Sequence, residues 1–115
     1  VAFKRADGSG ILRPEIAFGK AWGAIGMGVS SRLLRDRLAD RPAFIGALST
    51  ASGGRLIPVP GGVLIRDDDG AVMGAVGVSG DTSDKDEAAA IAGIIAAGMR
   101  PDPAEPDPDW EGSRL

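Results

Sequence analysis

The sequence predicts a single mixed α/β domain, and two observations carry that prediction. Val63–Ile65 and Ala71–Val78 are short apolar runs separated by Asp67, Asp68, Asp69 and Gly70. Two such runs around an Asp-Gly pair read as a β-hairpin, because Asp and Gly supply the tight turn that antiparallel strands need. The segments on either side of the hairpin carry apolar residues at helical spacing instead. At 115 residues the chain has room for one core, burying roughly two thirds of its unfolded surface.

Val1–Arg5 reads as the end of a strand and residues 6–10 (ADGSG) as a turn. Pro14 suits the first turn of a helix. Ile16, Ala17, Lys20, Ala21, Ala24 and Ile25 carry that helix on to Met27. Gly19, Gly23, Gly26 and Gly28 interrupt it, at about 1 kcal/mol each relative to Ala. A smooth stripe of this kind favours close packing against a sheet or a sister helix over a wall along which a ligand slides. Ser30-Ser31 caps a short helix reaching Ala39, with Leu33, Leu34 and Leu38 apolar and Arg32, Arg35, Asp36 and Arg37 on a solvated face. Arg41-Pro42 interrupts it. Phe44–Leu48 supplies one more helical turn, and residues 49–55 a loop. Leu56–Val59 predicts a short strand that Pro58 confines to an edge or an end. The last helix opens at Ser83, with Asp86 in the capping-box position three residues on. Asp84, Asp86 and Glu87 then sit in the first turn, where the helix dipole favours negative charge. Ala88, Ile91, Ala92 and Ile95 share its apolar face, and Gly98 ends it. From Arg100 the chain is Pro-rich and acidic. It predicts an extended or disordered tail, 100–115, outside a domain of residues 1–99, with Trp110 as the residue suited to dock.

The composition excludes several functions. Apolar residues make up 43% and charged residues 25%, ordinary for a globular protein. A net charge of −3 disfavours nucleic acid and anionic membrane as partners. The chain has no Cys, which removes disulfides, iron–sulfur clusters and thiolate zinc sites. It has no His, which removes a Ser-His-Asp triad and the usual haem ligand. No apolar run approaches the roughly 20 residues that span a bilayer. No signal peptide is visible, and a cytoplasmic location is expected. With 18 Gly and 4% aromatic residues, the chain relies on tight turns and close backbone approach.

The candidate site residues lie in and after the hairpin. Gly77 and Gly80 stand where a side chain would otherwise rise from the strand or its exit, so a ligand or a second backbone can come close. The Gly-rich turn before a helix is similar in outline to a phosphate cradle. It lacks the P-loop Lys-Ser/Thr, and Asp81, Asp84, Asp86 and Glu87 would repel phosphate. The acidic spacing fits no EF-hand loop, Asp67–Asp69 reads as a solvated turn, and no metal site is expected. Asp86 or Glu87 can serve as a general acid or base if the helix N-terminus lines a pocket, with capping as the competing role. Lys20, central in a Gly/Ala helix, either snorkels to solvent or holds a carboxylate.

Taken together, Arg5-Ala6-Asp7-Gly8, Ile16-Ala17 with Lys20-Ala21, Gly61-Gly62, the segment Gly74–Gly80 (GAVGVSG), Asp86-Glu87 and Ala92-Gly93 resemble the GlcG/HbpS-like family, also called the haem-degrading domain family. The resemblance implies a profilin-like α-β-α sandwich: a five-stranded antiparallel sheet with helices on both faces. It also implies homo-oligomers and, for some members, haem or corrinoid binding. Family members carry a helix and a strand ahead of the Arg5–Gly8 turn. The chain begins without them, so another segment or a second chain is expected to fill that place in the sheet. Two departures from the family are the missing His and Leu64, which stands where Pro is usual. The implied pocket lies at Gly61, Gly62, Ser79, Gly80 and the start of the last helix. There Arg5 and Lys20 would meet ligand carboxylates, Gly61, Gly62 and Gly77 would permit close approach, and Ser79 would hydrogen-bond. Haem is the cofactor that the resemblance suggests. The alternatives are an enzyme for a small organic acid using Glu87 or Asp86, and a structural oligomerisation module.

Overall fold

The hairpin is the centre of the sheet. In the computed structural model, which describes residues 1–114, β1 (Gly62–Arg66) and β2 (Val72–Gly77) run antiparallel with Gly62 opposite Gly77, Val63 opposite Val76 and Leu64 opposite Ala75. The turn closes as its residues predict. Asp67 Oδ1 accepts from the Asp69 and Ala71 N–H groups, each at 2.9 Å. Gly70 takes the left-handed φ of 83° that this turn requires.

Alternation along β1 sends its side chains to two different helices. Val63 and Ile65, with Val76 and Val78, pack against Ala90, Ile91 and Ile94 of α4 (Ser83–Ala96). Gly62 and Gly77 face the other way, onto α1 (Arg13–Met27). The result is an α-β-α sandwich. A second cluster of Leu34, Leu38 and Leu56 closes one end, formed by α2 (Ser31–Leu38) with Phe44, Ile45 and Leu48 of α3 (Pro42–Ala51). Ser30 caps α2 by accepting from Leu33 N–H at 3.2 Å. Ser31 pins that helix to β1, its Oγ accepting from Gly62 N–H at 2.7 Å.

The structure departs from the sequence reading in several places, and α3 (Pro42–Ala51) takes in residues 49–51, which the sequence reading gives to a loop. Among the described residues the sheet has three strands in the order β2-β1-β3, not five. Neither Val1–Arg5 nor Leu56–Val59 joins it. A strand exists only through its ladder, and Pro58 removes a donor from the second segment. The third strand is β3 (Arg100–Asp102), from the segment read as a tail. It pairs antiparallel with β1, Pro101 opposite Ile65, and Arg66 Nε reaches Asp102 Oδ2 at 2.9 Å. Pro101 is tolerated because β3 is an edge strand. The helix cap also differs. Thr82, not Ser83, is the N-cap of α4, and its side chain makes no capping bond. The apolar face of α4 is rotated from the expected one. Ala90, Ile91 and Ile94 are buried, while Ile95 is 56% exposed.

Candidate functional site

A cavity of about 920 Å³ opens between the N-terminal segment, α1 and the outer edge of β2. α1 gives it Phe18 and Trp22, four residues apart and therefore on one helix face. Phe3 crosses to Phe18 with ring centroids 6.2 Å apart, and the Arg55 guanidinium lies over Trp22, 5.9 Å from its centroid. The strand side is backbone and small side chains, residues 74–80. Lys4, Arg5 and Arg13 are the charged residues of the lining, and no carboxylate belongs to it among the described residues. Arg5 is set by its own turn, donating through Nε to Ser9 Oγ at 2.9 Å and through a terminal nitrogen to the Ser9 carbonyl at 2.8 Å. Arg13 reaches across the mouth and donates to Ser79 Oγ at 3.2 Å. This set of groups can bury a flat apolar body and hold acidic substituents at its margin.

Behind the cavity wall lies a buried ion pair. Lys20 is 2% exposed, and its Nζ stands 3.0 Å from Asp86 Oδ2, itself 3% exposed. Nζ also donates to the Val78 carbonyl at 3.0 Å. The second Asp86 oxygen accepts from Gly80 N–H at 3.0 Å and Asp81 N–H at 2.8 Å. Asp86 therefore turns away from its own helix start and organises the loop leaving β2, which is why the capping box does not form. Lys20 neither snorkels nor waits for a ligand, because it already holds a carboxylate from α4. Gly61 and Gly62 serve this packing. A Cβ on Gly61 would stand 2.8 Å from Lys20 Nζ, and one on Gly62 would collide with the Lys20 carbonyl.

Glu87 points elsewhere. It is 0% exposed, and Arg32 Nε from α2 stands 3.2 Å from its Oε2. The approach is not aligned for a hydrogen bond, and neither Glu87 oxygen has a hydrogen-bond partner among the described residues. Burial pushes the carboxyl from its ordinary 4.5 up to about 7, opposed by Arg32 and Arg35 and aided by Asp84 and Asp107. The folded state thus binds the Glu87 proton more tightly than the unfolded chain. Stability from this group is fully present below about pH 4.5 and is lost as pH rises through about 7. The loss amounts to about 3 kcal/mol at most. Glu87→Gln should lie near wild type at low pH and above it at about pH 8 in urea unfolding. Parallel wild-type and variant curves across that range would remove Glu87 as the cause.

The predicted site residues therefore separate. Arg5, Gly77, Ser79 and Gly80 border the cavity. Lys20, Asp86, Gly61 and Gly62 form the packed layer behind it, and Glu87 faces α2. The close approach at Gly77 is made by α1, since a Cβ there would run into the Ala17 carbonyl. Sequence reasoning missed Arg13, Phe18, Trp22 and Arg32. Phe18, Trp22 and Ile25 at i, i+4 and i+7 were a readable stripe. Nothing local marks Arg13 or Arg32. No group of three or more acidic residues among the described residues is placed to hold a metal, and no helix among them is long and apolar enough to cross a membrane.

Comparison with known proteins places this geometry. The chain is similar to a solved structure described as a crystal structure of a PduOC:heme complex, with a TM-score of 0.76 and 26% identity over 86% of this chain and 70% of that one. Among curated proteins no sequence matches it significantly. A model of the HbpS-like family, described as haem-degrading proteins, matches residues 1–95. A sandwich matched to that solved structure, with the family pattern running through α1, the hairpin and most of α4, identifies the chain as a member of the HbpS-like haem-degrading family.

Proposed function

We propose that the chain binds a flat, acidic tetrapyrrole such as haem in the cavity between the N-terminal segment, α1 and β2. The observation that carries this reading is the lining itself: Phe3, Phe18 and Trp22 as walls, with Lys4, Arg5 and Arg13 as the charged groups. The volume of about 920 Å³ lies within the range of small-molecule sites. The heme complex formed by the similar PduOC protein supports the same class of ligand. The lining contains no His, Met or Tyr among the described residues, and the chain has no Cys. The macrocycle would therefore be held by its faces and its carboxylates, Arg5 and Arg13 pairing with the latter, with no His, Met, Tyr or Cys of the lining to ligate the iron. Acid–base turnover is the weaker reading, because Asp86 is committed to Lys20 and two N–H groups and Glu87 faces α2.

Titration with haemin should give a saturating Soret change near one ligand per chain. Metal-free protoporphyrin IX should bind with affinity within about tenfold of haemin, since no axial bond contributes. The double replacement Arg5→Gln and Arg13→Gln should weaken both ligands by about tenfold or more. A response equal to that of an unrelated His-free protein would overturn the proposal. Homo-oligomers belong to the same reading, and sedimentation with and without haemin tests them.

A further inference from the structure

The acidic segment after β3 makes no part of the cavity. It folds back over the opposite side of the domain. Arg32 donates through a terminal nitrogen to the Glu105 carbonyl at 3.0 Å, and the 3-10 helix Trp110–Gly112 packs against α4. The same guanidinium presents Nε to Glu87, the buried carboxyl without a hydrogen-bond partner among the described residues. Arg32 is thus shared between a buried acid and the backbone of an acidic segment.

We propose that residues 103–112 form a proton-controlled latch, closed over the neutral Glu87 carboxyl and released when that carboxyl ionises, with Arg32 as the shared anchor. Three features set the direction. An ionised Glu87 needs aligned donors; Arg32 Nε, 3.2 Å away, is not aligned with it, so the guanidinium has to reorient to pair with the carboxylate, and that movement disturbs the bond its terminal nitrogen gives the Glu105 carbonyl. A buried carboxylate is also costly while it lacks hydrogen bonds, and Glu87 has no hydrogen-bond partner among the described residues. Asp107, on the segment itself, repels the new charge. The other charges facing Glu87 are Arg32 and Arg35 from α2 and Asp84 from α4. The sheet faces α4 with Val63, Ile65, Val76 and Val78. The raised value of about 7 places the transition near neutrality.

The test is amide exchange of the full chain at about pH 5.5 and about pH 8.5, corrected for the intrinsic rate. Protection across residues 103–112 should fall by about tenfold or more at the higher pH, while β1 and α1 amides hold theirs. Glu87→Gln should keep the segment protected at both values, and Arg32→Met should expose it at both. Trp110 emission in a Trp22→Phe background gives an independent readout, with a single midpoint near neutrality. Segment protection that ignores pH overturns the latch, as does a pH response that survives in Glu87→Gln. If Glu87→Gln fails to fold, a flat Trp110 profile overturns it instead.

Discussion

Replacing Lys20 with Met is expected to destabilise the domain by about 3–5 kcal/mol, the usual cost of removing one partner from a buried ion pair. The side chain that remains is the reason. Asp86 is 3% exposed and would keep its two backbone donors, Gly80 and Asp81, but lose its cation. The Val78 carbonyl would lose its donor as well. Both losses fall where β2 leaves the sheet, so the loop and the first turn of α4 should loosen together. Adding Asp86→Asn to Lys20→Met should recover part of the loss. The Asn carbonyl still accepts from Gly80 and Asp81, and no charge is left buried. Urea unfolding of the two single variants and the double variant closes the cycle. A cost below about 1 kcal/mol for Lys20→Met would show that water replaces the pair, as at an exposed bridge.

That pair also explains how much of the fold and the site was legible. Features with local causes could be read directly. Asp67 and Gly70 fix the hairpin turn, Pro14 starts α1 and Ser30 caps α2. Asp86 could not be read this way. Local rules make it a capping residue, but one of its partners, Lys20, is 66 positions away in sequence. Leu56–Val59 has the residues of a strand, yet Leu56 is drawn into the Leu34–Leu38 cluster and no ladder forms. Pro101 reads as a breaker, and it pairs because β1 offers an open edge. The same division holds for the site. Arg5, Gly77, Ser79 and Gly80 lie close to the hairpin or the first turn, and their place on the cavity follows from those elements. Arg13 and Arg32 become informative only once Ser79 and Glu87 arrive opposite them.

Gly77→Val should cost at least as much as Lys20→Met and should disable the cavity as well. Gly77 has ordinary backbone geometry, not the left-handed φ of the chain's turn glycines, so the cost is one of space. α1 lies directly on it. A Cβ at this position would collide with the Ala17 carbonyl and stand 3.1 Å from the Ala21 Cβ. Backbone cannot yield as a flexible side-chain tip can, so α1 must lift from the sheet. Overpacking of a close-packed layer costs about 1–3 kcal/mol where side chains can adjust, and a rigid helix backbone puts this case above that range. Gly77→Ala should already cost about 2–3 kcal/mol. Gly74→Ala is the matched control, since the added Cβ meets nothing within 4 Å. In a strand it should be neutral or slightly stabilising. The lift of α1 also moves Phe18 and Trp22 away from residues 74–80, so haemin affinity should fall along with stability. Equal melting temperatures for Gly77→Ala and Gly74→Ala would mean that α1 is not seated on this glycine. A destabilised Gly77→Val that still binds haemin with wild-type affinity would place the ligand away from the α1–β2 wall.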